Sequence, residues 1–262
     1  MTTIVPRQQQ VGAIRLATDA LRKARKALVV LATGLGKTIT SAFIAQKVKA
    51  RRVLFLVHNN YILENSLEEY RRVFGESRTY ALYNGLTKNG AAEANFVFAS
   101  FQTMRGNLSD WSKNHFDLLI VDEGHHAHAE TYRPVIEHFK CPRLGLTATP
   151  DRGDLQDIRE IFGNEVVNVS LEEAIARGWL PRIEYHVVTD ESLDENALQE
   201  IAAEIHQSKK RFTMAEVNRR IFIKKRDEEI ARIINGYSEK AIVFCASIDH
   251  AERLSKSLEL GA

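Results

Sequence analysis

The stretch Leu31-Ala32-Thr33-Gly34-Leu35-Gly36-Lys37-Thr38 limits this chain more than any other. The apolar run Ala27–Leu31 before it carries two valines and is followed at once by a turn signal, so it reads as a short buried strand. The amphipathic segment Lys37–Lys49 reads as a helix. A glycine-rich loop between strand and helix can wrap its N–H groups around phosphate oxygens, because glycine adopts the required dihedrals and keeps side chains clear. The helix N-terminus behind it adds partial positive charge. In that arrangement Lys37 reaches the β- and γ-phosphates and the Thr38 hydroxyl sits on Mg²⁺. The strict pattern has glycine where Leu31 stands. The plain alternative is a glycine-punctuated turn that binds nothing.

Composition narrows the class without naming a ligand. The 262 residues suit one full domain plus part of another. With 36 basic and 34 acidic residues the charge is nearly balanced, so only local patches can speak for nucleic acid. The two cysteines, Cys141 and Cys245, lie far apart and suggest neither a disulfide framework nor a zinc ribbon. There is no apolar run long enough for a membrane span, and Met1–Arg7 lacks the apolar stretch of a secretory signal. The expected setting is a reducing cytoplasm.

Pro6-Arg7-Gln8 opens a helix with Val11, Ile14, Ala17, Ala20 and Leu21 on one face, ending in the basic run Arg22–Lys26. That run fits a solvated helix end better than a nucleic-acid site. Val53–Val57 reads as a second buried strand, Ile62–Phe74 as a helix, and Thr79–Tyr83 and Asn95–Ser100 as further strands. Then Phe116–Val121 runs directly into Asp122-Glu123. In open parallel sheets ligands bind beyond the carboxyl ends of strands. Nucleotide hydrolysis needs one carboxylate for Mg²⁺ and another group to orient or deprotonate water, which these two acids could supply. Alone, the pair would read as an acidic helix cap. The strand Arg143–Thr147 ends in Thr147-Ala148-Thr149-Pro150, whose hydroxyls either sense the acidic motif or simply make a turn.

Strands alternating with helices predict an α/β domain with a mostly parallel sheet, finishing near 163–179. Arg182–Val188 reads as a strand leaving it, and 190–236 as charged and helical, with basic clusters at Lys209–Arg211 and Arg219–Arg226. The second cluster, which mixes cations with apolar residues, fits a phosphate backbone and a solvated amphipathic helix about equally. Lys240–Cys245 and Ile248–Leu258 read as a strand and helix opening a new α/β domain. His125, His126, His128 and His138 form no His-Glu-x-x-His pattern, so catalytic zinc is not expected.

Taken in order, these motifs resemble the motor core of superfamily 2 helicases and translocases. The likeness is to the DEAD/DEAH-like branch that includes type I and type III restriction motor subunits. Ala32–Thr38 matches motif I, where a non-glycine opening is common. Asp122-Glu123-Gly124-His125 is similar to motif II with glycine for alanine, and Thr147-Ala148-Thr149 to motif III. Arg7 and Gln10 resemble the adenine-reading motif, Leu56-Val57-His58 motif Ia, and Phe98–Thr103 the next nucleic-acid motif. Leu171–Ile175 through Gly178–Pro181 resembles the exit from the first RecA-like domain, and Val243–Ser247 motif IV of the second.

The resemblance implies a RecA-like P-loop NTPase domain at 1–181, a linker strand and charged helical segment at 182–236, and an incomplete second RecA-like domain at 237–262. It implies ATP bound by Arg7, Gln10, Thr33, Gly34, Leu35, Gly36, Lys37 and Thr38, with Mg²⁺ on Thr38 and Asp122. Catalysis would fall to Glu123, Lys37 and Asp122, and coupling of nucleotide state to motion to His125, Thr147 and Thr149. Nucleic acid, DNA rather than RNA, would meet His58, Asn59, Ser100, Gln102 and Thr103 through its backbone, which positions without reading sequence. Implied partners are the rest of the motor and restriction or repair subunits. Motifs V and VI, with their arginine finger, are not among these residues, so the 262 residues alone are expected to bind ATP·Mg²⁺ but hydrolyse it poorly. A module that uses ATP only to gate binding is the rival expectation.

Overall fold

The computed structural model describes residues 4–58, 60–123, 132–149, 158–184, 186, 227, 229–237, 241–245 and 247–258. The chain divides into two compact units, 1–183 and 184–262. In the first, seven strands form one sheet: β1 (Lys26–Leu31), β2 (Val53–Val57), β3 (Tyr80–Tyr83), β4 (Phe96–Ser100), β5 (Leu118–Val121), β6 (Arg143–Thr147) and β7 (Glu165–Val169). Their order is β3-β4-β2-β5-β6-β1-β7. Every pairing is parallel, as expected of an α/β domain of the RecA-like kind.

Parallel strands need crossovers, and the crossovers cover both faces. That is why the central strands are buried at nearly every position rather than at alternate ones. Side chains alternate across β1: Ala27, Val29 and Leu31 enter one core, Leu28 and Val30 the other. The first core lies under α1 (Gln8–Ala24), α2 (Lys37–Lys47) and α3 (Tyr61–Phe74). The second lies under α4 (Phe101–Gly106), α5 (Arg133–His138) and α6 (Arg159–Phe162). Gly145 in β6 lets α6 close on the sheet, since a Cβ there would stand 2.7 Å from the Phe162 ring.

Three details depart from the sequence expectations. Glu165–Val169 is a strand, β7, pairing with β1 at the edge of the sheet, followed by α7 (Leu171–Ala176). Residues 182–184 and 186 form no strand. Nor do residues 241–245, where Ile242 and Phe244 are exposed. A strand is defined by its ladder, and among the described residues of this second unit no other strand is available to pair. The helix Ile248–Ser255 does form there, capped by Ser247, whose Oγ accepts from the His250 N–H at 3.2 Å. No described helix is long and apolar enough to cross a membrane.

Candidate functional site

The glycine loop connects the carboxyl end of β1 to α2. Gly34 and Gly36 sit at φ +91° and +76°, backbone that a side chain rarely tolerates. At Gly36 a Cβ would also stand 2.7 Å from Gln10 Nε2. Gln10 is buried and holds the loop from the α1 side. Its Nε2 donates to Leu35 O and Gly36 O at 3.3 and 3.4 Å, while its Oε1 accepts from the Arg7 N–H at 2.9 Å. Farther back, the Ala32 N–H donates to Val169 O at 3.0 Å, so the unforeseen β7 steadies the loop as well. The Lys37 ammonium lies 3.5 Å from Leu31 O, folded against the loop that it follows.

β5 delivers Asp122 and Glu123 to the same rim. Asp122 is buried, and burial with the neighbouring Glu123 charge pushes its carboxyl up to about 6, against the pull of Lys37. Its Oδ1 accepts the Glu123 N–H at 3.0 Å, and Glu123 sits at φ +52°, uncommon for a residue with a side chain. β6 lies between β5 and β1, so Thr147 at its carboxyl end stands between the acidic and glycine motifs. Thr147 Oγ1 accepts the Thr149 N–H at 3.1 Å and donates to Thr149 O at 3.2 Å, closing a tight turn.

These elements enclose a cavity of about 560 Å³ lined by Arg7, Gln10, Gly34, Gly36, Lys37, Thr38, Asp122 and Glu123, a volume in the range of small-ligand sites. The donor set fits ATP·Mg²⁺. Amides, an ammonium and a helix N-terminus suit phosphate oxygens, and the paired carboxylates Asp122 and Glu123 suit a hard divalent cation. Thr33 and Leu35 belong to the same loop; Leu35 is buried and its carbonyl accepts from Gln10.

β2 and β4 are neighbours, with Val57 opposite Ser100, so His58 and the Ser100–Thr103 turn share one stretch of the rim. Gln102 is exposed there. Ser100 is buried and caps α4, accepting the Thr103 N–H at 3.3 Å and donating to Thr103 Oγ1 at 2.9 Å. Asn59 and His125 lie outside the described residues.

Three side chains here carried no sequence signal. Tyr132 hydrogen-bonds His58 Nδ1 through its hydroxyl and stacks on Phe101 at 4.3 Å. Glu69 and Arg72, from α3, line the nucleotide-sized cavity. Each arrives through packing between distant segments, and only the amphipathic period of α3 hinted at which face turns inward.

The parallel sheet, glycine loop and paired acids define a RecA-like helicase-type P-loop domain. Residues 3–152 match the model for the type III restriction enzyme, res subunit, and the chain belongs to that family. It is 28% identical over 279 residues to the type I restriction enzyme EcoAI endonuclease subunit of Escherichia coli, covering 97% of this chain and 34% of that protein. The chain thus spans about a third of that relative's length.

Among solved structures it is similar to a fragment assigned to the HsdR subunit of a type I restriction enzyme from Vibrio vulnificus YJ016. That match has a TM-score of 0.66 and 24% identity, and covers 98% of this chain and 46% of that one. It is also similar to the ATP-dependent type ISP restriction-modification enzyme LlaBIII bound to DNA, with a TM-score of 0.68 and 17% identity over 98% of this chain and 21% of that one. At these identities the two structures speak for the fold.

Proposed function

We propose that this chain is the ATP-binding part of a helicase or translocase motor that runs on nucleic acid, DNA rather than RNA. The observation that carries the reading is the convergence of Lys37, Thr38, Asp122 and Glu123 on one cavity at the carboxyl rim of the sheet. The loop amides, Lys37 and the start of α2 bind phosphates; Arg7 and Gln10 flank the base. Thr38 and Asp122 would hold Mg²⁺, which supplies charge neutralisation to the phosphates when bound. Glu123 orients the attacking water and takes its proton. Thr147 and Thr149, between the two motifs, relay nucleotide state.

The DNA preference rests on the restriction-enzyme family and relatives. His58, Gln102 and Thr103 offer the track a rim beside the nucleotide site, with Ser100 shaping the turn from within. In this reading 182–236 leads away from the first domain and 237–262 opens a second RecA-like domain. The remaining motor and restriction or repair subunits are the partners. In this reading the 262 residues alone bind ATP·Mg²⁺ and turn it over slowly, since they correspond to only about a third of the length of the restriction-enzyme relative. A module that only binds nucleotide has no need of Glu123 in the cavity.

Titration of a fluorescent ATP analogue with Mg²⁺ tests the site. Saturable binding lost in Lys37→Ala supports the reading, and binding indifferent to Lys37 refutes it.

A further inference from the structure

Two charged side chains in the cavity, Glu69 and Arg72, have no role in the scheme above. They belong to α3, which packs along α2. The packing is keyed by a buried relay: the Tyr70 hydroxyl lies 2.8 Å from Ser41 Oγ, and Ser41 Oγ donates to Thr38 O at 2.6 Å. Tyr70 is fully buried, and burial pushes its phenol far above its usual value, so it stays a neutral hydrogen-bonding group. Glu69, the preceding residue, is thereby held against the first turn of the phosphate-binding helix.

That turn is where anion donors are exposed. The N–H groups of Lys37, Thr38 and Ile39 precede the first intrahelical bond, which the Thr40 N–H donates to Gly36 O at 3.0 Å. Such groups bind phosphate at a helix N-terminus. Burial pushes the Glu69 carboxyl above the usual carboxylate range, against the opposing pull of Arg72 and of the Ile39 amide. Yet its buried Oε2 completes no hydrogen bond among the described residues. A buried carboxylate oxygen without a full partner is held at a cost, so the arrangement is ready to be displaced.

A nucleotide brings several negative charges into a cavity that also holds Asp122 and Glu123. Those two acids have metal and water to serve; Glu69 has neither. Arg72 lies three residues farther along α3, close enough on a helix surface to receive the carboxylate, and it is exposed.

We propose that Glu69 is an internal competitor of the nucleotide phosphates: its carboxylate stands before the Ile39 amide, where a phosphate oxygen docks, and nucleotide enters by turning it out toward Arg72. This rests on the nucleotide reading of the cavity. It makes Glu69 a positioning residue that sets nucleotide affinity. Removing its charge relieves a like-charge contact with the incoming phosphates.

The test is equilibrium titration of fluorescent ADP with Mg²⁺ into the 262-residue chain carrying Glu69→Gln, Glu69→Ala, Arg72→Ala and the Glu69→Gln/Arg72→Ala pair, with Lys37→Ala as control. Glu69→Gln is expected to bind about tenfold tighter, and Glu69→Ala tighter than wild type as well. Arg72→Ala is expected to weaken binding in the wild-type background and to matter less beside Glu69→Gln, a coupling that a purely structural role would not produce. Binding by Glu69→Gln and Glu69→Ala no tighter than wild type, with Lys37 still required, overturns the role of Glu69 alone. Binding that is absent, or indifferent to Lys37, in every variant overturns the nucleotide reading beneath it.

Discussion

Asp122→Asn is expected to stabilise the fold while removing the metal-binding carboxylate. Asp122 is 6% exposed, and its pKa rises from 3.8 to about 6 through burial and the Glu123 charge. A shift of that size costs the folded state about 3 kcal/mol near neutral pH. Asparagine keeps an oxygen for the Glu123 N–H, 3.0 Å away in the wild type, and carries no charge. Its amide adds buried donors, which cost about 1 kcal/mol. The net gain is about 2 kcal/mol, or roughly 4–8 °C in Tm for a unit of this size.

The pH dependence fixes the sign. Below about pH 4 the carboxyl is protonated in both folded and unfolded chains, and the wild type bears no penalty. As the pH rises from about 4 to about 6 the unfolded chain releases this proton while burial holds it on the folded one, so the wild type loses stability relative to the variant, and the loss is complete above about 6. Urea denaturation with EDTA and without nucleotide, at about pH 4 and about pH 7, reads the difference. Equal stability at neutral pH, or a gain that persists unchanged in acid, would refute the reasoning.

Three further outcomes follow from the packing. Gly145→Ala places a methyl 2.7–3.1 Å from Phe162 ring atoms and should destabilise the first unit by about 1–3 kcal/mol, measured by chemical denaturation. Ser100→Ala removes the cap of α4 and should cost about 1 kcal/mol; no stability change would mean that the hydroxyl serves something other than the turn. Cys141 is buried, and its thiol is pushed up to about 11, so iodoacetamide should label it only on unfolding, whereas rapid labelling of the native protein would contradict its placement.

What could be read from the sequence follows physical rules. Strands buried on both faces are continuous apolar runs, so β1, β2, β4 and β5 announce themselves in one-letter code. The loop and the acids are local motifs tied to the ends of those strands, and they are legible for the same reason. β7 is not, because Glu165-Val166-Val167-Asn168-Val169 forms a half-exposed edge whose polar residues break the run. Its pairing with β1 is a tertiary fact. Glu69, Arg72 and Tyr132 belong to the same class: each reaches its place through helix packing that no local pattern encodes. The Val243-Phe244 run shows the converse: among the described residues no strand lies beside it, and β-propensity alone makes none. Ser100 is instructive too: the residues fit a nucleic-acid motif, while the hydroxyl holds the turn that presents Gln102 and Thr103.

The most direct test is steady-state ATP hydrolysis by the 262-residue chain, with and without duplex DNA, single-stranded DNA and RNA, beside Glu123→Gln. The account predicts slow turnover that rises with DNA more than with RNA and disappears in Glu123→Gln although nucleotide still binds. Turnover that ignores every polymer and survives Glu123→Gln would contradict it.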